Sequence, residues 1–121
     1  MVEDRITDGK RIAQLLASEL TGLETPPMDR VEVVDATPDA DPSPDGTDVY
    51  GVAVDGDRIG TVTTYPDAAV LSVRGAVPAG FEPAEGVTVD SESDGERISV
   101  RIAYGAAVKG AVDLLIETIR Q

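Results

Sequence analysis

An α+β fold is predicted: a single antiparallel sheet of about five strands, with the N- and C-terminal helices packed on one face. Three observations predict it. Apolar residues recur at helical spacing at both ends of the chain and at alternate positions between them. Turn signals, among them Asp55-Gly56 and Pro66-Asp67, separate the alternating runs. Strands that carry one polar face need cover on the other face only, which two helices supply.

The first segment reads as a helix. Ile12, Leu15, Leu16, Leu20 and Leu23 recur at spacings of three and four and form one apolar stripe. Glu3, Asp4 and Asp8 fall in its first turns, where carboxylates suit the positive end of the helix dipole. Gly22 is the expected left-handed stop, and Pro26 and Pro27 exclude continuation. Residues 31–35 form a short strand. Residues 36–47 follow as an acidic loop, where Pro38, Pro42 and Pro44 remove backbone donors. Residues 49–55 and 58–65 form a hairpin about Asp55-Gly56, whose residues take the positive φ angles a tight turn needs. Residues 69–74 add a third strand to make a meander. An acidic loop occupies 82–95, within which 87–89 read as a short strand. Residues 96–103 are the clearest strand: Ile98, Val100 and Ile102 point one way, Arg97, Ser99 and Arg101 the other. The last helix spans 104–121. Gly110 costs it about 1 kcal/mol relative to Ala, so close packing is expected there. Its apolar residues, Leu114 included, cover more than one stripe of about 100°. Either the first helix covers that flank or a second copy of the chain does, with Leu114 as the expected dimer contact.

Composition bounds the chemistry. The 121 residues form one expected domain, 1–121, and carry 23 acidic against 10 basic side chains, a formal net charge of −13. Val, Ile, Leu and Phe number 31, enough for one core. With no Cys, His or Trp, thiolate, haem-thioether and histidine chemistry is excluded, and no cofactor or metal is expected. Residues 35–48 hold five Asp and no cation, and residues 82–96 hold six acids and no cation. Asp41-Pro-Ser43-Pro-Asp45-Gly46 copies the first half of an EF-hand loop but fails at its twelfth position, Val52, where a bidentate Glu is needed. Carboxylates are so numerous that chance pairs are abundant, and neither GxxxxGK[ST] nor GxGxxG occurs.

The acid is more Asp (14) than Glu (9), the cations are eight Arg against two Lys, and the aliphatics are mainly Val and Ala. With the opening MVEDRITDGKRIAQLLASELTGLE, this composition resembles that of small uncharacterised haloarchaeal cytoplasmic proteins. The resemblance implies a salt-rich cytoplasmic source and no activity. The N-terminal segment has neither the pattern of a signal peptide nor the length of a membrane span, so no membrane partner is expected.

Among the cations, Arg74, Arg97 and Arg101 fall on the outward side of their strands. They either pair with acids such as Glu96 or Asp90, or form a surface for an anion, since guanidinium forks suit carboxylate and phosphate. Nucleic acid is not expected: the basic field that attracts phosphate backbones is missing, and four aromatics make a poor stacking platform. The expected function is non-enzymatic, a protein-interaction module that binds a protein partner or itself through the last helix. The alternative is a small anionic-ligand binder that uses the three arginines.

Overall fold

A computed structural model describes residues 7–22, 26, 28–37, 40–75, 80–83, 85–91 and 97–120. Helix α1 (Gly9–Gly22) precedes β1 (Val31–Val34), β2 (Thr47–Val54), β3 (Asp57–Tyr65), β4 (Ala68–Arg74), β5 (Val87–Ser91) and β6 (Arg97–Ile102), and α2 (Val108–Arg120) closes the chain. The six strands form one sheet in the order β1-β2-β3-β4-β6-β5, every neighbouring pair antiparallel. The fold class is α+β, as the residue pattern predicts, with six strands instead of about five.

The sheet has one dry face and one wet face. Val62, Leu71, Val73, Ile98, Val100 and Ile102 are all buried, while their neighbours Thr61, Thr63, Ser72, Ser99 and Arg101 keep contact with water. The alternation is the two-residue period of a strand expressed as burial. Helix α1 packs on β1, β3 and β4, helix α2 packs on β6, and the two helices pack on each other. Their apolar residues join the dry face in one core.

Several boundaries differ from the expected ones. Asp8 lies ahead of the first turn of α1 and caps it. Its side chain accepts from the Lys10 N–H at 3.1 Å, and its carbonyl accepts from the Ile12 N–H at 2.9 Å. Glu3, Asp4 and Leu23 lie outside the described residues. Gly22 stays helical, with no positive φ. Strand β2 begins at Thr47, inside the expected loop. Strand β5 occupies Val87–Ser91, two residues longer than the short strand expected over 87–89. Its exposed Asp90 and Ser91 hide the end of the strand, because a sheet-edge strand over one flank of a core needs few apolar anchors. The last helix starts at Val108, after a 3₁₀ turn at Gly105–Ala107 for which extended Tyr104 (φ −159°) is the N-cap.

Leu114 is 0% exposed. It is buried within the single chain, in which α1 and α2 pack on each other, so it is a core residue. Gly110 is half-buried in the same helix. Among the described residues no helix is long and apolar enough to cross a membrane.

Two β-bulges shape β2. Its register with β3 shifts between Asp48 and Tyr50 and again between Val52 and Ala53. At the first, Val49 has no partner of its own, and Val49 and Tyr50, consecutive residues, are both buried in the core. The Tyr50 hydroxyl donates to the Ala13 carbonyl of α1 at 2.8 Å. Burial pushes its ionisation well above the ordinary phenol range.

Candidate functional site

The wet face of the sheet carries cross-strand rows that the register defines. Gly51, Thr61, Ser72, Ser99 and Asp90 form one row, since each is the register partner of the next. A neighbouring row holds Asp48, Thr63, Val70, Arg101 and Thr88. The next row towards the other end of the strands pairs Arg74 directly with Arg97. Hydroxyls therefore line the middle of the face, and guanidinium groups bound it.

The structure separates the three predicted arginines. Arg101 lies four residues from Arg97 along β6, which is about 13 Å at roughly 3.3 Å per residue. It donates to Asp67 at 3.4 Å and stands 5.9 Å from the centre of the Tyr65 ring, so its charge is answered locally. Arg74 and Arg97 stay together, and a third arginine that the sequence pattern does not single out joins them. Arg58 has the strand parity of the buried Gly60 and Val62, which would turn it inward. It sits instead beside the second bulge, and its guanidinium lies over Gly51. A Cβ at Gly51 would stand 2.7 Å from Arg58 Nε. The missing side chain of Gly51 is what gives the guanidinium its place.

Arg58 is held there by two hydrogen bonds, to Asp35 at 2.8 Å and to the Thr61 hydroxyl at 3.1 Å. Asp35 has φ +53°, a left-handed conformation that Asp tolerates better than most side chains. Arg74 donates to the Arg58 carbonyl at 3.2 Å. Arg58 and Arg97 line a recess of about 240 Å³ with Ile59, Gly60 and Thr61. Among the described residues Arg97 makes no ion pair.

Two like charges opposite each other across a strand pair repel. The Arg58 charge is met by Asp35, so the repulsion that remains at this corner is that between Arg74 and Arg97. Guanidinium groups stay protonated at any ordinary pH and donate in a planar fork. Thr61 lines the recess with Arg58 and Arg97, whereas Arg74 lines a neighbouring recess with Thr118 and Ile119 of α2. Among the described residues no group of three His, Cys, Asp or Glu gathers as a metal site. The loop that resembles half an EF-hand closes as a turn, with the Gly46 N–H donating to the Ser43 carbonyl at 3.0 Å.

Fold and corner together define a small α+β protein with a helix-covered sheet, an open polar face and a cluster of arginines. The chain belongs to the family of unknown function DUF7993, whose profile matches residues 1–121. No curated protein and no solved structure matches it.

Proposed function

We propose that the chain is a non-enzymatic interaction module that docks on a protein partner through the open face of its sheet. Arg58, Arg74 and Arg97 receive a carboxylate of that partner. One observation supports this: Arg74 and Arg97 are direct cross-strand partners, Arg97 shares a recess with Arg58, and Arg74 donates to the Arg58 carbonyl. Leu114 and Leu115 of α2 are buried in the core, while Ile116 and Ile119 keep partial exposure for self-association through that helix.

The recess beside Arg97 favours a second reading, a small free anion such as phosphate in the same place. Calorimetric titration separates the two. A Glu-rich peptide should bind the wild type, and an Arg58→Ser/Arg97→Ser double variant should lose about tenfold or more in affinity, the worth of a charge-assisted hydrogen bond, while melting as the wild type does. Saturation by inorganic phosphate with no preference for the peptide favours the small-anion reading. No binding of either probe sinks both.

We infer further that the surrounding solvent is concentrated salt, as in a halophile's cytoplasm. The supporting feature is an acid excess of 23 against 10 on a chain with one modest core.

A further inference from the structure

A second recess lies on the other side of the molecule, between α1 and the segment that follows β1. It encloses about 210 Å³. Val33, Val49 and Tyr50 line it from the sheet. Ala13 and Ala17 of α1 form one wall, Ala36 and Ala40 the other. The walls are tied by hydrogen bonds: the Tyr50 hydroxyl to the Ala13 carbonyl, the Thr37 N–H to the Val49 carbonyl at 2.7 Å, and the Ala40 N–H to the Thr37 carbonyl at 3.1 Å. The cleft is thus framed before any ligand arrives.

Its lining suits an apolar body. A buried water needs about two to four polar partners, and the Tyr50 hydroxyl already serves Ala13. The volume exceeds the roughly 150 Å³ of an apolar cavity known to take a benzene ring. The lining is not wholly neutral, however. Lys10 lies at the mouth beside Gln14 and is the one charged residue in the lining among the described residues. Its ammonium faces Asp41 at 3.8 Å, a long contact to a carboxylate side chain that is 90% exposed. Such an exposed pair is worth little and is easily exchanged for another.

We propose that this cleft binds a small monocarboxylate with a compact apolar body, its ring or branched chain between the alanine walls and its carboxylate at Lys10. The site shares no lining residue with the arginine recess, and its test uses other probes. The probes are benzoate and its neutral analogue benzamide, followed by amide NMR shifts. Benzoate should give saturable shifts centred on Ala13, Ala17, Val49 and Tyr50. Benzamide should bind there about three- to fivefold more weakly, the contribution of one partly exposed charge. Lys10→Gln should bring benzoate down to the affinity of benzamide. Ala17→Leu should fill the cleft and abolish both; if it fails to fold, Ala40→Leu replaces it from the opposite wall. Shifts centred on Arg58 and Arg97, shifts that grow without saturating, or a Lys10→Gln variant that binds benzoate unchanged would each overturn the proposal.

Discussion

Gly9 has no room for a side chain. A Cβ there would run into the carbonyl oxygens of Tyr65 and Ala68, both backbone atoms. The start of α1 is pressed against the turn between β3 and β4, and the Gly9 N–H donates to the Pro66 carbonyl at 3.3 Å. On helix propensity alone Gly→Ala gains about 1 kcal/mol. Here the clash outweighs that gain, and Gly9→Ala should destabilise by about 2 kcal/mol. Gly22→Ala is the control, because nothing lies within 4 Å of the added carbon; it should be neutral or stabilising in the same urea titration. Tyr50 makes a second prediction at this scale. Its hydroxyl is buried, so the folded state resists ionisation more than the unfolded state does. The stability it contributes is fully present below the ordinary phenol value of about 10 and declines as pH rises above it. Tyr50→Phe should cost about 1 kcal/mol at neutral pH for the lost hydrogen bond. It should also flatten the alkaline fall in stability, which urea titrations from about pH 8 to about pH 11 measure.

Elements were legible where period and burial coincide. In β4 and β6 every second residue is apolar and the partner strands are regular, so the inward and outward sets follow from the sequence. Strand β5 was legible over 87–89 only, since its exposed Asp90 and Ser91 look like the start of a polar loop. The apolar stripe of α1 was visible, but its partners were not. The cleft beside it arises where Ala13 and Ala17 meet Ala36 and Ala40, residues whose smallness has no signature until the chain is folded. Of the candidate site, Arg74 and Arg97 could be read from alternation, and the local pairing of Arg101 with Asp67 could not. Arg58 was hidden for a physical reason: a bulge breaks the alternation on which such inference depends. Gly51 was the available clue, an isolated glycine in a strand that marks close approach of another group. This gives a prediction for β2. Gly51→Ala places its Cβ against the movable end of Arg58 rather than against backbone. The strand should tolerate it, within about 1 kcal/mol. The guanidinium should be displaced from Asp35, and binding of the acidic peptide should weaken in calorimetry without loss of fold.

At the scale of the whole molecule, charge outweighs every other surface effect. A net −13 on 121 residues opposes the compact state through self-repulsion. The described ion pairs do little against it. Lys10–Asp41, Arg30–Asp55, Arg58–Asp35 and Arg101–Asp67 all lie in water, with side-chain exposures from 35% to 90%. Pairs of this kind contribute about 0–1 kcal/mol each. Salt acts on pairing and on repulsion in opposite directions. It weakens the pairs, which lowers stability slightly, and it screens the repulsion among the unpaired carboxylates, which raises it. The screening length falls from about 10 Å at roughly 0.1 M to about 3 Å at roughly 1 M, short enough to uncouple most of the surface acids from one another. With four weak pairs set against an excess of thirteen negative charges, screening should win. The melting temperature should therefore rise from low to molar KCl, most steeply below about 1 M, where the screening length changes most. Thermal melts across that range at neutral pH measure it. A flat or falling midpoint would show that repulsion is not what limits this fold, and the inference of a salt-rich environment would go with it.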